Sequence, residues 1–357
     1  MDGSCASGYE AVGEVFAASE ELGASLAVVV DGALVVDLAR GWPADSIAMM
    51  MSVTKAFTAT CAHLVLDDID RPVASVWPEF AAAGKRAITI AQLLDHTAAL
   101  PAVREPLPVG TLYDWDAMCA ALAAEEPWWE PGTRHGYHAV TFGFLVGEVV
   151  RRVAGQSVGS AWRALVADRL DLDLWIGLPD AQTARVADLP PTEIPENAFN
   201  PFAGADPDSI VVRAFTNPPD LVEPGATNLP RFRAAEIPAV NGIGDARSLA
   251  RFYGALSTGE IAVPPRAFVN RVRGVDAVLD MEDAFALGFM NPSPMRPFSP
   301  NPNAFGHPGA GGALGFADLD RRLGFGYVPQ RTLAAGLGGD PRWQPLIAAV
   351  YACVPAQ

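Results

Sequence analysis

Short β-branched segments gather at the two ends of the chain, and apolar residues recur at helical spacing between them. Ala24–Val30 (ASLAVVV) and Ala33–Leu38 (ALVVDL), joined by the pair Asp31-Gly32, have the makeup of a tight antiparallel hairpin with a two-residue turn. Leu314–Leu319 and Leu323–Val328 flank a short polar break and predict a second hairpin, followed by an apolar helix from about Trp343 to Val354. In the middle, Ser52–Leu66, Ile90–His96, Trp115–Ala124, Val140–Val153 and Ser157–Leu170 carry helical periodicity. Thr89-Ile90-Ala91-Gln92 has the residue types of a capping box at one helix start. The proline-rich stretches Pro190–Pro238 and Pro292–Pro308 predict long loops within the fold, because apolar residues continue through them. There are no internal repeats.

A sheet built from both chain ends, with helices inserted between, predicts an α/β (α+β) protein. One discontinuous sheet domain comprises 1–75 and 235–357, and one mainly helical domain with proline-rich loops comprises 76–234. The active-site cleft is expected where the two meet. Length and composition agree: 357 residues with 50% apolar and 18% charged positions can bury a large core. The formal net charge of −16 repels phosphate backbones and anionic lipid surfaces, so neither nucleic acid nor membrane is an expected partner. Cys5, Cys61, Cys119 and Cys353 show no short pairing or metal-ligand spacing, and reduced thiols are the expectation. The N-terminal residues lack a basic segment followed by an apolar one, and the uncharged run Ala24–Val30 is far below the roughly 20 residues that span a bilayer. A soluble, cytoplasmic protein is expected.

The sharpest chemical feature is Ser52-Val53-Thr54-Lys55, after the apolar run Ile47–Met51. Spacing i, i+3 puts hydroxyl and amine on one helical face, and a helix N-terminus favours the negative charge of an attacking alkoxide or an oxyanion. Serine is also a common helix cap, which alone accounts for Ser52. The use of cations tips the balance. Of 25 basic residues only Lys55 and Lys85 are lysine, the rest arginine. Arginine keeps its proton, whereas a desolvated lysine is neutral near pH 7 and acts as a base. Lys55 stands among Met, Val, Ala and Phe, while Lys85 in Ala-Gly-Lys-Arg reads as a solvated loop charge.

Ser52-x-x-Lys55, Leu93-Leu94-Asp95-His96-Thr97, Tyr137-His138-Ala139 after Trp129-Glu130-Pro131-Gly132-Thr133, and His307-Pro308-Gly309-Ala310-Gly311-Gly312 occur in that order. Together they resemble the serine β-lactamase and penicillin-binding-protein superfamily, and within it the class C-like carboxylesterases of family VIII. The likeness runs from about Ala24 to Val328. It implies a covalent acyl-enzyme route: Ser52 attacks a carbonyl, and Lys55 and Tyr137 remove and return its proton, with Tyr137 held near its phenolate form by the neighbouring ammonium. The backbone N–H groups of Ser52 and Ala310 would form the oxyanion hole, the glycines permitting close backbone approach. Apart from the resemblance, Tyr137 reads as a core ring at the start of Val140–Val153, and 307–312 as a glycine-rich turn entering a strand.

The departures bear on substrate. Where the superfamily carries Lys-Thr/Ser-Gly, this chain has His307-Pro308-Gly309, so the ammonium that holds a β-lactam carboxylate is missing. His307 is expected to orient Tyr137, contact an ester oxygen or simply pack. His138 and Ala139 replace the usual x-Asn of the middle motif. Ala99 stands for a usual glycine, and Ala313 where serine is frequent. An ester substrate is favoured over an antibiotic, with His307, Gly309, His138, Trp128 and Trp129 as candidate substrate contacts. Transfer of the acyl group to another acceptor and amide hydrolysis, as by a D-peptidase or weak β-lactamase, use the same nucleophile and stay open. So does a non-catalytic acyl-ligand sensor.

Gly155-Gln156-Ser157-Val158-Gly159 matches the G-x-S-x-G nucleophile elbow, but helical spacing precedes it where an elbow needs a strand, so Ser157 reads as a helix cap. The five histidines include no metal-ligand spacing, and no nucleotide-binding motif occurs. No cofactor or metal is expected, a small acyl ester or amide is the expected partner, and the sequence sets no oligomeric state.

Overall fold

Residues 1–354, except 20, 44, 192–203 and 333–338, are described by a computed structural model. The first hairpin forms as expected. β1 (Asp2–Cys5) flanks β3 (Ala33–Arg40), and β2 (Ala24–Val30) turns into β3 through Asp31 and Gly32, both with positive φ. That is the backbone a two-residue hairpin turn requires. A small sheet joins β4 (Ala48–Met49), β5 (Leu174–Trp175) and β6 (Ile243–Gly244). A separate hairpin pairs β7 (Val272–Val275) with β8 (Glu282–Phe285). The chain then returns to the large sheet with β9 (Phe305–Pro308), β10 (Leu314–Asp318) and β11 (Leu323–Pro329), giving the antiparallel order β1-β3-β2-β11-β10-β9. Strands from both chain ends therefore share one sheet.

In chain order the helices are α1 (Glu10–Ala18), α2 (Thr54–Val65), α3 (Ile90–Leu94), α4 (Trp115–Ala124) and α5 (Thr141–Ala154). They continue with α6 (Val158–Trp162), α7 (Ile210–Thr216), α8 (Pro230–Ala234), α9 (Ala246–Thr258) and α10 (Trp343–Cys353). The capping box at Thr89 and Gln92 forms, with both reciprocal hydrogen bonds. α9 lies across β2, β10 and β11, and the contact is at backbone distance: a Cβ on Gly324 would stand 2.2 Å from the Gly254 nitrogen. The alternating glycines of β11 make room for that helix. α2 is buried from Thr54 to His63, with Phe57 stacked on Trp162 of α6 at 4.6 Å and edge-on to Phe252 of α9. It runs through the centre of the molecule and carries Lys55 with it.

Several expectations change. The helix expected from Ser52 opens as a 3-10 turn, Met51–Val53, before α2 begins. The one expected over Ser157–Leu170 breaks after Trp162 into a π-type turn, Arg163–Ala167. Pro190–Pro238, partly outside the described residues, is not all loop: it contains α7 and α8 with short 3-10 turns between them, and prolines at helix first turns start rather than stop them. Lys85 is not solvated. It is fully buried, donating to the carbonyls of Ala123 and Glu125. All four cysteines are free, and among the described residues no helix is long and apolar enough to cross a membrane.

Candidate active site

Ser52 stands between β4 and α2, in a loop clamped from the 239–242 segment. The Met50 N–H donates to the Gly242 carbonyl at 2.8 Å, the Gly242 N–H donates to Thr54 Oγ1 at 2.7 Å, and that hydroxyl donates to the Met51 carbonyl at 2.5 Å. These bonds hold Met51 at φ +49°, a conformation that costs a non-glycine residue on the order of 1 kcal/mol or more. The residue before Ser52 is thus fixed in a strained turn, and Ser52 itself is half-buried at the head of α2.

One helical turn on, Lys55 is completely buried. Its Nζ lies 3.2 Å from Ser52 Oγ, 2.7 Å from the Ala139 carbonyl and 3.0 Å from the Ala239 carbonyl. Carbonyl oxygens only accept, so two of these contacts require N–H donors. The third is a hydroxyl, which can donate to the lone pair of a neutral amine. Burial pushes the Lys55 pKa well below that of a free lysine, and among the described residues no carboxylate forms an ion pair with it to offset that. Amine and hydroxyl therefore meet with the amine biased toward its proton-accepting form.

Tyr137 comes from the segment before α5, and Lys55 Nζ lies 4.7 Å from its ring centroid. Burial raises the phenol pKa, while hydrogen bonding with Ser52 acts in the opposite direction. Burial thus works against the phenolate expected from the family pattern and favours the neutral phenol. Its ring packs against His96, Phe285 and His307 at centroid distances of 5.3, 6.1 and 6.2 Å.

The other candidates divide. His138 is fully buried with both ring nitrogens engaged: Nδ1 is 2.6 Å from the Gly136 carbonyl, and Nε2 accepts from the Leu100 N–H at 3.0 Å. Burial holds its pKa down at about 3, so it is a neutral staple between two backbone segments with no atom left for substrate. This corrects the expectation of a substrate contact there. Trp128 and Trp129 are half-buried, their indole N–H groups donating to the Ala102 and Arg134 carbonyls. Arg104 lies over the Trp128 ring at 4.3 Å and Arg134 over that of Trp129 at 5.0 Å. His307, at β9, is buried beside Tyr137. The turn after it runs against the nucleophile loop: a Cβ on Gly309 would stand 2.1 Å from the Met50 carbonyl oxygen, so only glycine permits this approach. Ala310 follows, exposed, on that same turn.

With this geometry in view, comparison with known proteins is decisive. The Beta-lactamase family matches residues 12–348. The chain belongs to the Beta-lactamase family. It is 34% identical over 343 residues to the esterase/beta-lactamase LipL of Mycobacterium tuberculosis, covering 87% of this chain and 78% of that protein. Among solved structures it is similar to a family VIII carboxylesterase (36% identity, TM-score 0.87, 99% of each chain covered). It is also similar to a penicillin-binding-protein homologue from Caulobacter crescentus (38%, TM-score 0.86, 99% of this chain and 100% of the other). EstA from Arthrobacter nitroguajacolicus follows at 30% identity and TM-score 0.88, with 99% of this chain and 98% of that one covered. The protein is a hydrolase of this family.

In this hydrolase some supports were not visible in the motifs. The carbonyls of Ala139 and Ala239 hold Lys55 through backbone atoms, which side-chain identity does not reveal. Arg342 and Trp343 brace the 309–312 turn, donating to the Gly311 carbonyl at 2.7 Å and the Gly312 carbonyl at 2.8 Å. Asn241 ties the 232–241 loop together through the Phe232 and Ala235 carbonyls and the Ile237 N–H.

Proposed function

We propose that this hydrolase cleaves small to medium carboxylic esters through an acyl-Ser52 intermediate. The observation carrying the proposal is the Lys55 amine: buried, held by two carbonyls, and 3.2 Å from Ser52 Oγ. In acylation Lys55 takes the Ser52 proton as Oγ adds to the ester carbonyl, and the N–H groups of Ser52 and Ala310 receive the oxyanion. As the C–O bond breaks, the protonated Tyr137 hydroxyl gives its proton to the departing alkoxide. The Lys55 ammonium, close to the Tyr137 ring, then restores that proton, leaving both groups neutral. Water adds to the acyl-enzyme in the second half, with the same groups working in reverse. Under the division of the chain into 1–75 with 235–357 and 76–234, Ser52, Lys55 and His307 come from one domain and Tyr137 from the other.

The test is turnover and trapping. Ser52→Ala should abolish hydrolysis of p-nitrophenyl butyrate while the far-UV circular dichroism stays unchanged, and a fluorophosphonate should add to wild-type protein at Ser52 by intact-mass and peptide mapping. Undiminished turnover by the alanine variant, or an adduct located elsewhere, overturns the reading.

A further inference from the structure

We infer that His307 presents its Nε2 lone pair as a hydrogen-bond acceptor to the alcohol portion of the substrate. The enzyme would then prefer esters whose alcohol carries a neutral hydroxyl or N–H close to the scissile oxygen and disfavour those carrying a carboxylate there. The inference rests on the acyl-Ser52 reading, because it takes the leaving oxygen to sit at Tyr137. His307 Nδ1 lies 2.7 Å from the carbonyl of Pro308. A carbonyl only accepts, so Nδ1 carries the ring proton and Nε2 is left with a lone pair. That Nε2 is buried and has no hydrogen-bond partner among the described residues, a state that buried polar atoms rarely keep and that a ligand donor would relieve. The ring stands beside Tyr137, 6.2 Å between centroids, which is what puts the alcohol portion of a substrate whose leaving oxygen sits at Tyr137 in the ring's neighbourhood under this inference.

Charge at this place points the same way. Burial first, with the Arg296 cation nearby, keeps the His307 pKa well below its ordinary value, so the ring offers no cation and is also a poor base for water. Lys55 is held by its carbonyl pair, and Arg296 is committed to the buried carboxylate of Asp283. A substrate carboxylate would meet a lone pair and, among the described residues, no available cation. A hydroxyl would meet an acceptor.

The experiment compares 2-hydroxyethyl, 2-methoxyethyl and carboxymethyl butyrate by kcat/KM, each normalised to its alkaline hydrolysis rate. The hydroxyethyl and methoxyethyl esters have leaving groups of similar acidity and differ in the donor. Wild-type enzyme should favour the hydroxyethyl ester over the methoxyethyl one by about tenfold, with the carboxymethyl ester slowest. His307→Leu should bring the hydroxyethyl-to-methoxyethyl ratio near one. His307→Gln, which keeps an acceptor, should retain most of it, and His307→Lys should raise the carboxymethyl ester above the methoxyethyl one. A wild-type ratio near one, a preference for the carboxymethyl ester, or a ratio unmoved in His307→Leu overturns the inference while leaving acyl-Ser52 intact. Because the wild-type ratio needs no variant, misfolding of the variants does not shelter the inference. Turnover of the esters with no acyl-Ser52 on rapid acid quench would instead overturn the underlying reading and the inference with it.

Discussion

Lys55 and Lys85 are alike in almost every structural respect. Each is fully buried, each donates to two main-chain carbonyls, and each lies against an aromatic ring, Tyr137 at 4.7 Å and Phe80 at 5.3 Å. What separates them is the third partner. Lys55 meets the Ser52 hydroxyl and, among the described residues, no carboxylate, whereas Glu125 and Glu126 stand near Lys85 and push its pKa back up against the effect of burial. One region has a buried amine set up to accept a proton, and the other has a buried ammonium that ties the 123–125 backbone to the 85–87 turn. Burial of a lysine is thus not in itself a catalytic sign; the neighbours decide which protonation state the site stabilises.

The sharpest way to break this contrast is to exchange each lysine for arginine, which keeps charge but cannot give up its proton. Lys55→Arg should lower kcat/KM for an activated ester by on the order of 10²-fold or more. Lys85→Arg should leave kcat unchanged in the fraction that folds, measured by active-site titration with a fluorophosphonate. Equal losses at the two positions would remove the distinction.

Stability should sort them in the opposite order. Lys85→Met removes the donor to the Ala123 and Glu125 carbonyls and takes a cation away from two glutamates. Lys55→Met also strips two carbonyls, but it relieves an amine whose burial no carboxylate offsets. Lys85→Met is therefore expected to cost about 2 kcal/mol more than Lys55→Met in urea unfolding. A larger loss at position 55 would contradict the view that Lys55 is held at a cost to the fold.

The two sites should also differ with pH. Lys55 has a lower pKa folded than unfolded, so between those two values the unfolded chain binds more protons and stability rises with pH. The penalty is full below the folded pKa and is relieved as pH climbs toward the ordinary lysine range. Wild type should therefore gain stability relative to Lys55→Met in urea titrations stepped from pH 7 to pH 10, a comparison in which the other titrating groups cancel. The corresponding slope against Lys85→Met should be shallower, since the glutamates reduce its shift. A flat difference at position 55 would mean that its amine stays charged in the folded protein.

Much of this was legible in the chain. The hairpins and the position of α4 follow from side-chain alternation and helical spacing, which are local properties, and the Thr89 cap follows from residue types three apart. The Ser52–Lys55 approach follows from i, i+3 geometry on a turn entering a helix. What was hidden depends on the partner surface. α9 carries a capping aspartate, Asp245, and a left-handed Gly259 stop, yet its fit to the sheet rests on glycines of a strand 65 or more residues later. The burial of Lys85 depends on carbonyls from the end of α4 and beyond, and no local pattern around Gly84-Lys85-Arg86 signals them. The engagement of both His138 nitrogens likewise comes from backbone groups at 100 and 136, so a motif position that suggested substrate contact turned out to be structural.

Ser157 provides the smallest effect and the most direct check that geometry, not motif, identifies the nucleophile. It sits in Gly155-Gln156-Ser157-Val158-Gly159, yet α5 precedes it instead of a strand, ending in the left-handed Gly155. Its Oγ accepts from the Ser160 N–H at 3.3 Å as the cap of α6 and donates to Glu236 Oε1 at 2.6 Å. Its proton goes to a carboxylate whose other oxygen accepts from the Gly159 N–H, a capping arrangement of α6 and not the serine–amine pair found at Ser52. Ser157→Ala is accordingly expected to cost about 1 kcal/mol from the lost cap and carboxylate contact, and to leave kcat for p-nitrophenyl butyrate as in wild type. Glu236 would keep its bond from the Gly159 N–H at 2.9 Å, so the helix start should loosen without moving α2. Loss of turnover in Ser157→Ala with unchanged thermal stability would reverse the roles of the two serines and, with them, the contrast drawn between the two lysines.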